Sequence, residues 1–139
     1  MKKITIFTDG GSRNNPGMAG AGVFIMDENG KELKKVKKFL GIQTNNWAEY
    51  EALILGLETA KKLLGEKTKS TEVEIKMDSE LIVKQLNGQY RVKEPSLFEQ
   101  FVKVNNLKIN FPNISFNHIP RAQNKEADKL ANQAMDEGV

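Results

Sequence analysis

Residues 4–17 read Ile-Thr-Ile-Phe-Thr-Asp-Gly-Gly-Ser-Arg-Asn-Asn-Pro-Gly. Ile4 to Thr8 alternate and are β-rich, as a buried first strand should be, and the residues that follow are nearly all turn formers. This pattern predicts a strand that stops at Asp9 and a glycine-rich bend after it. Gly10 and Gly11 lack side chains, so backbone N–H groups in such a bend can approach a phosphate closely. Asp-Gly is also one of the commonest turn dipeptides, and on its own it is punctuation. Its meaning depends on the rest of the chain.

Working outward, Ala19 to Met26 reads as a second strand, with Asn29-Gly30 at the tip of a hairpin turn. Glu32 to Leu40 reads as a third. Its lysines 34, 35, 37 and 38 suit a sheet edge, where charge discourages pairing with other chains. Three strands joined by short turns make an antiparallel meander. A long helix then runs to about Leu64 and stops at Gly65, with Asn46 as the expected N-cap and Ala52, Gly56 and Ala60 forming a small-residue face. After a polar loop over Glu66 to Thr71, Val73, Ile75 and Met77 alternate in a fourth strand that ends at Asp78-Ser79. A helix over Glu80 to Leu86 closes at Asn87-Gly88. Ser96 is the expected cap of the next helix, residues 113–119 form a short fifth strand, and Asn124 is the expected cap of a last helix with Ala127, Leu130, Ala131 and Ala134 inward.

The order β-β-β-α-β-α-α-β-α implies a mixed sheet covered by helices, an α/β fold. The right-handed crossover rule places strand four parallel to strand one, which brings Asp9 and Asp78 together at one sheet edge.

The 139 residues suit one domain, 1–139, and 39% hydrophobic with 28% charged residues is an ordinary globular composition. The first residues lack the apolar run of a signal peptide, so a cytoplasmic, membrane-free protein is expected, and a monomer. The absence of cysteine rules out thiol catalysis and cysteine-held zinc, and one histidine rules out a histidine-rich site. Any metal must therefore be held by oxygen, which points to Mg2+ or Mn2+. The net charge of +3 permits a polyanion partner without demanding one.

Four carboxylates sit at element termini: Asp9 and Asp78 at strand ends, Glu49 in the first turn of the long helix, Asp128 in the first turn of the last. Each has a plain alternative as a turn former, a capping residue or a complement to a helix dipole. Together they converge, and crowded carboxylates repel unless a cation holds them. An oxygen-only site beside phosphate-friendly backbone suggests two-metal phosphoryl transfer, with two ions about 3.5 to 4 Å apart.

Asp-Gly-Gly-Ser with Asn-Pro-Gly, then Thr-Asn-Asn-x-Ala-Glu, then Asp-Ser, then Asn-x-x-Ala-Asp-x-Leu-Ala resembles the type 1 ribonuclease H family, in order and across essentially the whole chain. The resemblance implies a five-stranded mixed sheet of order 3-2-1-4-5. It also implies an endonuclease that cuts the RNA strand of RNA/DNA hybrids and leaves 5′-phosphate and 3′-hydroxyl ends. On this likeness Asp9, Glu49, Asp78 and Asp128 are the catalytic, metal-binding carboxylates, with two Mg2+ or Mn2+ ions per site. Gly11, Ser12, Asn15 and Asn46 match positions near the minor groove and the 2′-hydroxyls, and Gly10 joins them as a substrate-binding candidate. Thr44 and Asn45 match the seat of a DNA-strand phosphate.

Two departures from the family pattern stand out. Many bacterial members carry a catalytic histidine in a loop before the last helix. Here the sole histidine, His118, falls in strand five as a structural residue, and Arg121 is the candidate to lean over the site. The short Pro-Arg loop is similar to a subgroup without the loop histidine, some of which tolerate double-stranded RNA. The other departure is the basic, Trp-containing insert of larger relatives, for which residues 87–95 are too short. Nor does an appended hybrid-binding domain precede strand one in this sequence. Lys84, Arg91 and Lys93 supply at most a smaller basic patch, so weak, salt-sensitive binding is expected. A non-catalytic binding module of the same fold is disfavoured, because a polyanion binder gains nothing from clustered acids. A phosphotransferase of the sugar-kinase and actin type needs two lobes.

Overall fold

In the computed structural model, which describes residues 2–138, five strands form one sheet: β1 (Lys2–Ser12), β2 (Gly17–Asp27), β3 (Glu32–Gln43), β4 (Thr71–Met77) and β5 (Ile114–His118). The order across the sheet is β3-β2-β1-β4-β5. β1 pairs antiparallel with β2 and parallel with β4, and β5 runs parallel to β4. The expected meander, crossover and strand order are therefore all present. Four α-helices complete the fold: α1 (Asn45–Leu64), α2 (Glu80–Leu86), α3 (Phe98–Lys108) and α4 (Lys125–Glu137).

The main core lies between the sheet and α1 to α3, where Ile6, Ile25, Leu53, Leu57, Val73, Ile75 and Met77 are fully buried. Two close approaches seat the helices on the sheet. A Cβ on Gly56 of α1 would lie 3.2 Å from Ile6, and one on Gly22 of β2 would lie 2.1 Å from the Ala127 carbonyl of α4. Only small residues permit such contact, so these positions set how near each helix comes to the strand ends. At the sheet edge, Lys35 pairs with Glu126 at 3.5 Å and Lys37 with Glu137 at 2.6 Å, so two of the β3 lysines also hold α4.

Several local expectations are corrected. β1 does not stop at Asp9: it runs on to Ser12, and Gly10 and Gly11 pair with Ala21 and Gly20. The ladder to β2 wins over turn propensity because Gly and Ala on the neighbouring strand leave room for the helices above and below. The bend falls at residues 13–16 and contains a cis Asn15–Pro16 bond. Thr44, not Asn46, caps α1; its hydroxyl accepts the Trp47 N–H at 3.3 Å. Glu49 therefore lies beyond the first turn of the helix. Of the segment read as a loop, Glu66 to Thr71, residues 66–70 belong to a 3-10 helix, Gly65–Ser70, and Thr71 opens β4. Ser96 caps nothing, since 95–97 is a 3-10 turn and α3 begins at Phe98. Asn124 precedes α4 as expected but makes no side-chain cap, because its amide is used elsewhere. None of the helices among the described residues is long and apolar enough to cross a membrane.

Candidate active site

β1 and β4 are parallel neighbours whose pairing ends at Phe7 and Lys76. Beyond that point the strands part, and Asp9 and Asp78 stand on either side of the opening. This is the switch point of the sheet, where crevices form in open α/β folds. Glu49 enters from α1, and its Oε1 accepts the Gly10 N–H at 2.8 Å, a buried link from helix to strand. One carboxylate oxygen from each of Asp9, Glu49 and Asp78 lies within 4.8 Å of the others. Asp128, in the first turn of α4, stands beside this trio and adds to the crowding that raises Asp9. Arg121 lies on the rim, 82% exposed, with Nη2 3.7 Å from the Asp128 carboxylate. All five residues line one cleft of about 450 Å³.

The electrostatics follow from crowding and burial. Asp9 is pushed up to about 9, first by desolvation and then by the charges of Glu49 and Asp78. Burial pushes Glu49 up to about 8 against the opposing effect of the Gly10 N–H. Desolvation also raises Asp78, opposed by the neighbouring Asn124 amide and the Arg121 guanidinium. With Asp9 and Glu49 raised this far, these two hold protons at neutral pH unless a cation replaces them. The donor set is all oxygen and suits a hard divalent ion. The Oδ1 of Asn124 is buried and without a donor.

The candidate substrate residues divide into three groups. Ser12, Asn15 and Asn45 interlock: the Ser12 N–H donates to Asn45 Oδ1 at 2.7 Å and the Asn45 N–H donates to Asn15 Oδ1 at 3.0 Å. Gly11 lines the cleft beside them. The N–H of Gly10, read as free to meet a phosphate, is spent on Glu49, and that of Ser12 on Asn45, so those two amides form no phosphate cradle. Thr44 is occupied as the helix cap. Asn46 lies away from the cleft, in a neighbouring groove of about 590 Å³ with Tyr90, Arg91 and Lys93. Lys84 is taken up by Glu80 at 2.7 Å and by the Tyr90 hydroxyl at 3.3 Å. His118 ends β5 opposite Met77 and does not line the cleft.

The residue that sequence reading missed is Asn124. Its spacing ahead of a helix marked it as a cap, and nothing local signals that its side chain reaches back across the sheet end to donate to the Thr8 carbonyl at 2.9 Å.

A mixed 3-2-1-4-5 sheet with clustered carboxylates at its β1/β4 fork defines an α/β protein with a ribonuclease H-like fold and an oxygen-donor site. Comparison with known proteins sharpens this. The family described as reverse transcriptase-like matches residues 7–134. A bifunctional protein of Mycobacterium tuberculosis is 43% identical over 135 residues, covering 96% of this chain but only 36% of its own length. Ribonuclease HI of Halobacterium salinarum is 36% identical and covers 97% of this chain and 65% of its own. The crystal structure of LC11 ribonuclease H1 in complex with an RNA/DNA hybrid aligns at a TM-score of 0.92 with 51% identity, covering 96% of this chain and 97% of that one. The chain belongs to the ribonuclease H family, type 1.

Proposed function

We propose that this protein is a metal-dependent endoribonuclease that hydrolyses the RNA strand of RNA/DNA hybrids, leaving 5′-phosphate and 3′-hydroxyl ends. The observation that carries this reading is the convergence of Asp9, Glu49 and Asp78 within 4.8 Å, beside Asp128, at the fork of the sheet. The hybrid complex of a relative 51% identical supports the choice of substrate.

Asp9 and Asp78, with Glu49 and Asp128, would hold two Mg2+ or Mn2+ ions. When bound, such ions supply a nucleophilic hydroxide at neutral pH and neutralise the charge that develops on the leaving oxygen. The rest is done by the chain itself. The Gly10 N–H fixes the Glu49 carboxylate at the cleft through its Oε1. The interlocked Ser12, Asn15 and Asn45 offer hydroxyl and amide groups to the sugar edge of the duplex, where a 2′-hydroxyl distinguishes RNA from DNA. Arg121, exposed on the rim of the cleft, meets a phosphate or the departing product.

The test is cleavage of end-labelled hybrid, double-stranded RNA and single-stranded RNA of one sequence, with Mg2+, Mn2+ or chelator, beside Asp9→Asn. Cutting confined to the RNA of the hybrid, and lost with chelator or Asp9→Asn, is expected. Cutting of double-stranded RNA as well would widen the substrate class. Binding of hybrid without cleavage under any metal would overturn the catalytic reading.

A further inference from the structure

Asn124 is 1% exposed and stands where three chain segments meet. Its Nδ2 donates to the Thr8 carbonyl at 2.9 Å, one residue before Asp9 and just past the last β1/β4 pair. The same side-chain amide lies near the Asp78 carboxylate and favours its charged form. Its backbone carbonyl accepts the Asp128 N–H at 3.1 Å, and its own N–H donates to the Arg121 carbonyl at 3.0 Å. One residue thus bonds to the strand of Asp9 and the backbone of Asp128 and stands near the carboxylate of Asp78, across the gap where no β-ladder holds the strands together. An amide suits that place. It supplies two donors in one plane without adding charge to a crowded acidic site, whereas an acid would add repulsion and a short hydroxyl could not span both acceptors.

We propose that Asn124 is the positioning residue of the carboxylate cluster: it wedges the β1/β4 fork and sets the spacing of Asp9, Asp78 and Asp128 for divalent-ion binding. The inference rests on the metal-dependent reading above and concerns affinity for the ion, not a step of the chemistry. Partners that orient metal ligands from outside typically account for about 10- to 100-fold in metal affinity.

The experiment is Mn2+ titration by electron paramagnetic resonance or calorimetry on wild type, Asn124→Ala and Asn124→Ser, with thermal melts in chelator to confirm folding. Gln100→Ala serves as the comparison, since Gln100 is another buried amide, 6% exposed, that ties α3 to the Trp47 carbonyl and Glu51 of α1 and does not line the cleft. The expected result is a Mn2+ dissociation constant raised about 10-fold or more in Asn124→Ala, with excess Mn2+ restoring hybrid cleavage. Asn124→Ser, which keeps one donor, should fall between, and Gln100→Ala should melt lower with unchanged Mn2+ affinity. If Asn124→Ala does not fold, Asn124→Ser decides by the same titration. Wild-type affinity in a folded Asn124 variant overturns the inference, as does an equal loss in Gln100→Ala. Wild type that binds no Mn2+ overturns the metal reading itself, and this inference with it.

Discussion

Gly10 and Gly11 are adjacent in β1, and methyl groups on the two should have opposite effects. A Cβ on Gly10 would lie 2.1 Å from the Ala48 carbonyl oxygen and 2.6 Å from the Glu49 nitrogen, both backbone atoms of α1. Neither can swing aside as a side chain would. Restoring ordinary contact requires strand and helix to separate by about 1 Å, and overpacking of this kind costs about 1 to 3 kcal/mol or more. For a domain of this size, that corresponds to a melting temperature lower by about 3 to 12 °C. The separation would also stretch the 2.8 Å bond from the Gly10 N–H to Glu49, moving that carboxylate relative to Asp9. A Cβ on Gly11 meets only Asn45 Oδ1, at 3.7 Å, and its backbone needs no glycine conformation. Gly11→Ala should therefore hold or raise stability by about 0.4 to 1 kcal/mol through the unfolded chain. The assay is thermal melting by circular dichroism in chelator and in Mg2+, with Mn2+ titration. Loss of stability and ion affinity in Gly10→Ala alone is expected. Equal melting temperatures for the two variants would refute the claim that contact between β1 and α1 builds the site.

Three further outcomes are expected. With Asp9 at about 9 and Glu49 at about 8, the metal-free folded protein keeps protons that the unfolded chain has lost at its ordinary 3.8 and 4.5. Stability in chelator should then fall as pH rises from about 5 to 9, Asp9→Asn should flatten the fall, and saturating Mg2+ should offset it; calorimetric melts across that range check the sign. Gly22→Ala would place a Cβ 2.1 Å from the Ala127 carbonyl and lift α4 with Asp128, so both melting temperature and turnover on hybrid should drop. Arg121→Ala should leave the melt unchanged within about 1 °C, because the side chain is 82% exposed, while steady-state kinetics show a lower kcat/KM and a shallower salt dependence.

The sequence by itself determined the element order, the edge position of the lysine-bearing β3 and the presence of four acids at or near element ends. Those features are local: alternation, small-residue spacing, Asn-Gly turns and helix stops are written within a few residues, and crossover handedness then leaves few topologies. It also carried the family likeness, since the four motifs lie in order along the chain. What it misplaced were contacts made by one segment with another. Gly10 and Gly11 look like a turn until β2 is beside them. Asn124 looks like a helix cap until the Thr8 carbonyl is within reach, and the Gly10 N–H looks free for phosphate until Glu49 arrives from α1. Only the tertiary structure decided these, because a backbone donor or a buried amide takes whichever partner packing brings nearest, and burying it without one is costly. The raised Asp9 and Glu49 have the same origin: desolvation and mutual repulsion exist only once β1, β4 and α1 have met.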